Sequence, residues 1–249
     1  MILQTLEKTK KLVFPVISSY LIDPIYPHQF KTVSKFSKEI NLYWDINKEY
    51  PTRMGKYLRP TLVRLIAECF GIKGKKVIKT AAAMQMSEEW ILISDDIEDN
   101  SDERRNKPTL HKIHGIELAI NASDALETIM WKMIIDIADT NITDEFYKIM
   151  MRTILGQAVE QIWTNKKEKI DNEKYFFVAD SKSAYYSIAG PIRLGAILGG
   201  ATTKQTDTLT DFGLHLGRCF QLVDDILDEE QDKKEGDRKS TRLNSSHRL

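Results

Sequence analysis

The chain of 249 residues sets 36 Lys and Arg against 36 Asp and Glu, so its formal charge is zero and it lacks the basic excess of a nucleic-acid binder. A composition that is 42% hydrophobic and 29% charged belongs to a folded soluble protein and excludes a disordered chain. Only 12 Gly and 7 Pro punctuate it, which leaves room for long helices and few turns.

At the N-terminus, Glu7, Lys8, Lys10 and Lys11 fall where a secretory leader needs an apolar centre. No later stretch approaches the roughly 20 apolar residues of a membrane span, so the expectation is a cytoplasmic protein without stable membrane insertion. Breaks follow at Asp23-Pro24 through Pro27 and at Tyr50-Pro51. Between Thr61 and Phe70 the residues Leu62, Leu65, Ile66 and Cys69 form one stripe at helical spacing, and Gly71 stands where a helix should stop, which reads as a buried helix. Helical patterns continue over about Lys76 to Asp99, Ile116 to Ala138 and Thr143 to Thr164. Shorter ones run from about Asn172 to Gly199, and a long one from about Lys204 to Asp228.

The stretch from Asn100 to Gly115, with Asn106-Lys-Pro and His114-Gly, reads as a long inter-helix loop, and His111 and His114 read as part of its surface. No strand alternation is evident, and the fold class is all-α. Cys69 and Cys219 are too far apart in sequence to form a local zinc or disulfide pattern and are expected to be reduced and buried. The last dozen residues, from Arg238 to Leu249, are basic, serine-rich and without a stripe. They read as a polar tail or as translated adapter sequence, so residues 1–237 form the expected domain and 238–249 a tail.

Chemistry concentrates in two places. Asp95-Asp96-Ile97-Glu98-Asp99 ends a helix after the apolar turn Trp90-Ile-Leu-Ile, and Asp224-Asp225-Ile226-Leu227-Asp228 ends another after Phe220-Gln-Leu-Val. Within each triplet the first and last aspartates are one helical turn apart, about 6 Å along the axis, and share a face. At the chain's aspartate frequency about 0.1 such matches are expected by chance, so two point to selection for a site. Hard carboxylate oxygens suit Mg²⁺, which keeps waters and is completed by substrate phosphates. The alternative is a pair of solvated acidic helix ends. An EF-hand is disfavoured, because the clusters lack its glycine and terminal glutamate, and the absence of Glu-x-x-His speaks against a di-iron bundle.

Acids at a helix C-terminus oppose the macrodipole and call for a compensating cation. Arg104 and Arg105 follow the first triplet within one loop, and Gly55-Lys56-Tyr57-Leu58-Arg59-Pro60 opens a helix with Lys56 and Arg59 three apart. Such pairs can meet phosphate or can be an ordinary solvated face.

From about Glu49 to Asp228 the chain resembles the trans-isoprenyl diphosphate synthases, the polyprenyl synthase family that includes farnesyl and geranylgeranyl diphosphate synthases. The resemblance rests on Gly55 to Pro60, Asp95 to Arg105, Gly156-Gln157, Lys182-Ser183 and Phe220 to Asp228, in that order. It implies a helical bundle around a central cavity, a homodimer, and a Mg²⁺-dependent condensation of an allylic diphosphate with isopentenyl diphosphate. Asp95, Asp96, Asp99, Asp224, Asp225 and Asp228 would bind Mg²⁺. Arg104, Lys182 and Gln221 would assist loss of the allylic diphosphate, and Lys56, Arg59 and Arg105 would hold isopentenyl diphosphate. A class I terpene cyclase and a non-catalytic subunit of a heteromeric synthase are the rival readings.

Several residues depart from the family pattern. Ser183 replaces a threonine and keeps the hydroxyl. Glu88 stands where relatives carry Gln or His near isopentenyl diphosphate; it is turned away, in contact with Arg or Lys, or simply a half-exposed helix residue. Trp90 is either the floor of the elongation cavity, which would favour C15 or C20 products, or a core aromatic. Relatives continue past the second triplet with a lysine-bearing loop, of which Lys233 and Lys234 would be remnants, and with further helices. The expectation is therefore an exposed apolar surface and weak or absent activity for this polypeptide.

Overall fold

The computed structural model describes residues 2–31 and 34–235, with side chains described as far as Leu227. The tail 238–249 and the side chains of Asp228, Lys233 and Lys234 lie outside the described residues. Among the described residues the chain is almost wholly helical. In order they form α1 (Ile2–Tyr20), α2 (Ser37–Arg53), α3 (Leu58–Cys69), α4 (Lys75–Glu98), a two-stranded ribbon of β1 (Glu103–Arg104) and β2 (Lys107–Pro108), α5 (Leu110–His114) and α6 (Ile116–Ile135). There follow α7 (Thr140–Lys166), α8 (Asn172–Val178), a π-helical segment (Ala179–Ala189), α9 (Gly190–Leu198) and α10 (Thr203–Glu235).

The chain divides into two compact units, Met1–Thr61 with Gly74–Ala138, and Leu62–Lys73 with Asp139–Leu249. In the first, α4 packs against α1, α2 and α6. Its run Ala81, Ala82, Ala83 is buried together with Met84 and Met86, because small side chains let neighbouring helices approach closely. Val13 and Ile17 of α1, Ile46 and Tyr50 of α2, and Leu126, Met130 and Met133 of α6 complete this core. Truncating any of the buried methionines to Ala would cost about 2–5 kcal/mol.

In the second unit, α7, α9 and α10 pack around the π-helical segment. Gly213 and Gly217, four apart on α10, lie against it: a Cβ on either would fall within 3 Å of the Cα of Ala189 or Ala184. On α7, Gly156 likewise lets the backbone of Ser181 and Lys182 come close. Asp139 caps α7 by accepting from the N–H groups of Asn141 and Ile142, and Asp171 caps α8 through Lys174.

The helices expected from periodicity are present, and several details differ. The Tyr50-Pro51 break lies inside α2, where the buried Tyr50 and Pro51 hold the helix on to Arg53, and Met54 at φ 50° ends it. The expected loop from Asn100 to Gly115 contains the ribbon and α5. Arg105 and Asn106 both adopt positive φ in a two-residue hairpin turn that lacks its usual glycine signal. His111 sits on α5 and is buried, not on a loop surface, and burial lowers its pKa, helped by nearby Lys112.

On α3 the buried side is Thr61, Val63, Arg64 and Ala67. The expected stripe of Leu62, Leu65 and Ile66 is half-buried, with Ile66 against Gly195 of α9, and Arg64 pairs with Glu68 at 2.6 Å. Cys69 and Cys219 are free thiols, as expected, but exposed: Cys69 ends α3, and Cys219 lies on an outward face of α10. That helix also leaves Phe212, Leu216, Phe220, Val223, Ile226 and Leu227 exposed.

Candidate active site

α4 brings the first acidic triplet to its C-terminal turn. The Asp99 N–H donates to the carbonyl of Asp95 at 2.9 Å, so the two lie one turn apart, while Asp96 points inward and is 1% exposed. A buried carboxylate at the negative end of a helix needs donors. It has them: Arg104 donates through Nε to Oδ1 of Asp96 at 2.9 Å, its terminal nitrogen reaches the same oxygen, and the Tyr50 hydroxyl donates to Oδ2. Arg104 also reaches Asp95 at 3.4 Å.

Burial and the hydrogen bond to Asp96 push the Tyr50 phenol far above its ordinary pKa, so it stays a donor. Burial works against the Arg104 charge, but the Asp96 hydrogen bond and the adjacent carboxylates outweigh it and raise its pKa. The hairpin that returns Arg104 to α4 is fastened by Arg53, whose guanidinium donates to the carbonyls of Arg104 at 3.0 Å and Pro108 at 2.8 Å. Arg53 also lies over the Tyr50 ring.

Arg105, next in the hairpin, points elsewhere. It donates to the Tyr50 carbonyl at 3.0 Å and to Glu89 at 2.9 Å, and its other terminal nitrogen lies 3.5 Å from Glu88. Glu88 in turn meets Arg59, at 3.1 Å. Glu89 is completely buried, and that burial pushes its carboxyl up to about 7 against the opposing pull of Arg105 and Gln85. Gly55 makes room for this cluster, since a Cβ there would come within 2.7 Å of the Arg105 guanidinium. Lys56 is exposed just before α3. Of the readings open for Glu88, contact with arginine is the one observed.

In the second unit, α10 carries the second triplet. Asp225 accepts from the Tyr175 hydroxyl at 2.6 Å and from Gln221, one turn back on the same helix, at 2.7 Å. Burial and the Asp225 hydrogen bond raise the Tyr175 phenol. Asp224 is exposed. Lys182, within the π-helical segment, pairs with the buried Glu160 of α7 at 3.2 Å. Nearby, Arg218 clasps Asp180 with two bonds of 2.6 Å.

The structure thus gathers Arg104 with Asp95 and Asp96, Arg59 with Arg105, and Gln221 with Asp225. It gives Lys182 a glutamate partner that the motif did not foretell. Tyr50, Arg53, Glu89, Glu160 and Tyr175 were missed by sequence reasoning, because no spacing rule marks them.

Among the described residues no three His, Cys, Asp or Glu side chains converge on a closed metal cage. The donor set nonetheless fits Mg²⁺, which takes one or two carboxylates and completes its shell with water and phosphate oxygens. The middle aspartates, Asp96 and Asp225, have both oxygens engaged by protein donors. By exposure, Asp96 is buried, Asp95, Asp99 and Asp225 are half-buried, and Asp224 is exposed.

Residues 41–242 match the family model described as polyprenyl synthetase. The geranylgeranyl diphosphate synthase of Sulfolobus acidocaldarius is 29% identical over 209 residues, which are 81% of this chain and 63% of that protein. The farnesyl diphosphate synthase of Geobacillus stearothermophilus is 30% identical over 240 residues, 91% of this chain and 75% of that one. The chain therefore spans between three-fifths and three-quarters of these relatives' length. Among solved structures, the geranyltranstransferase of Thermotoga maritima superposes with a TM-score of 0.78 at 24% identity, covering 91% of this chain and 80% of that one. That likeness shows the fold to be theirs.

Proposed function

The chain belongs to the polyprenyl synthetase family, and from that membership we propose that it is a prenyltransferase joining an allylic diphosphate to isopentenyl diphosphate, head to tail and in trans geometry. One observation carries the reading: the adjacent arginines Arg104 and Arg105 diverge, one onto the Asp95–Asp99 turn and the other into a separate cluster with Arg59. Two separate cationic positions suit two diphosphates.

In this proposal Asp95, Asp96, Asp99, Asp224, Asp225 and, from its motif, Asp228 hold Mg²⁺. Asp96 and Asp225 are fixed by their tyrosines and keep the flanking carboxylates in place. Bound Mg²⁺ supplies positive charge against the departing diphosphate. Arg104 and Lys182 add fixed cationic donors to its oxygens, and Gln221 orients Asp225. Lys56, Arg59 and Arg105 hold isopentenyl diphosphate with its double bond facing the allylic carbon. The allylic C1–O bond breaks, a C–C bond forms, and a proton leaves the new chain for the released pyrophosphate, giving an allylic product five carbons longer.

Cytoplasmic location and a homodimeric assembly belong to the same proposal. No helix among the described residues is long and apolar enough to cross a membrane.

The test is a single-turnover assay with the protein in excess over labelled isopentenyl diphosphate, using C5, C10 and C15 allylic primers with and without Mg²⁺. Label should enter longer prenyl chains only with primer and metal. Release of hydrocarbon with isopentenyl diphosphate untouched would make the protein a terpene cyclase instead. In the same assay Trp90→Ala should lengthen the product. Trp90 is buried five residues before Asp95, and its backbone carbonyl accepts from the Ser123 hydroxyl of α6 at 3.1 Å. An unchanged product distribution would make it a core aromatic only.

A further inference from the structure

The cluster around Glu88 holds its own anions. Arg59 and Arg105 are largely shielded from solvent, at 21% and 15% side-chain exposure, so charges placed between them are weakly screened. Glu88, at 14%, spans them: Oε2 lies 3.1 Å from Arg59 and Oε1 lies 3.5 Å from Arg105. A carboxylate bridging two guanidinium groups occupies the donors that a diphosphate would use.

Glu89 plays a different part. It is completely buried, accepts from Gln85 at 2.7 Å and holds the inner side of Arg105, so it is a fixed component of the fold. With Glu89 already set against Arg105, Glu88 is the more exposed carboxylate of the two, and its Oε1 lies close to Gly55, 3.4 Å from where a Cβ would stand. Removing the Glu88 charge leaves the two guanidinium groups with less negative charge set against them.

We propose that Glu88 is a resident competitor for the diphosphate of isopentenyl diphosphate: it holds Arg59 and Arg105 paired in the empty protein and must turn out before the substrate seats, thereby weakening affinity for that substrate. The proposal rests on the prenyltransferase reading for the identity of the ligand; the competition itself follows from the two ion pairs. Glu88 sets the affinity of one diphosphate position without touching the Asp95–Asp99 turn, where Arg104 serves the other.

The deciding experiment is equilibrium binding of isopentenyl diphosphate to the 249-residue chain in EDTA, which silences metal-dependent binding and needs no turnover. Glu88→Gln keeps the shape and removes the charge, and it should tighten binding about tenfold or more. Glu88→Ser should shift affinity in the same direction, and adding Arg59→Gln to Glu88→Gln should abolish the gain. Equal affinity in wild type and Glu88→Gln, or weaker binding in the variant, would overturn the proposal; the latter would mean that Glu88 props the arginines in position for the substrate.

In the primer assay, the ratio of the KM for isopentenyl diphosphate to that for the allylic substrate should fall about tenfold in Glu88→Gln. Tightened binding in a protein that turns the allylic substrate into hydrocarbon and leaves isopentenyl diphosphate untouched would sink the prenyltransferase reading and leave the competition standing. Condensation with unshifted binding would do the reverse.

Discussion

The two acidic triplets solve one problem with different means. In each, the middle aspartate takes a tyrosine hydroxyl on one oxygen, from Tyr50 for Asp96 and from Tyr175 for Asp225. The other oxygen of Asp96 accepts from a guanidinium carried on a separate hairpin, and the residue is buried. The other oxygen of Asp225 accepts from Gln221, a neutral amide on its own helix, and the residue is half-exposed. The first triplet's middle carboxylate is therefore fixed by a charged donor in a desolvated place, and the second's by neutral donors, one distant and one local, in a half-exposed place. The lesson is that one motif can be set rigidly or softly according to what surrounds its middle carboxylate.

Substitutions at the donors sharpen that contrast. Arg104→Ala strands the buried Asp96 charge and should destabilise the protein by about 3 kcal/mol in urea titration. Gln221→Ala, at the equivalent place on α10, should cost below about 1 kcal/mol, because water can replace the amide. Equal losses would erase the distinction. Tyr50→Phe should cost about 2 kcal/mol, the value of a buried hydrogen bond to a charged group, and Tyr175→Phe about half that.

A smaller effect concerns Glu89. Its folded pKa of about 7 lies above the ordinary 4.5, so between those values the folded chain keeps a proton that the unfolded chain has lost. Its contribution to stability is complete below about pH 4.5 and declines as pH rises through 7. The stability of the wild type relative to Glu89→Gln should therefore fall across that window in parallel thermal melts. A flat difference would show that Arg105 holds Glu89 ionised throughout.

Much of this was legible before any coordinates. The helices followed from apolar periodicity, and the triplets, Arg104, Arg105 and Arg59 followed from short fixed spacings. What stayed hidden was whatever depends on partners far along the chain. Tyr50 lies 46 positions from Asp96, Tyr175 lies 50 from Asp225 and Lys182 lies 22 from Glu160, and no local rule links such residues. The Arg105-Asn106 turn was invisible because its positive φ values fall on residues other than glycine. On α3 a buried arginine, Arg64, stands among the inward residues, and a charged side chain carries no apolar signal in the sequence.

The claim on which the functional account stands is that both triplets serve one diphosphate through Mg²⁺. Its most direct measurement is pyrophosphate affinity in Mg²⁺ and in EDTA, for the wild type, Asp95→Asn and Asp224→Asn. The account predicts that Mg²⁺ tightens binding to the wild type by about tenfold or more, and that either substitution alone removes most of the gain. A metal-dependent gain that survives intact in Asp224→Asn or in Asp95→Asn would contradict it.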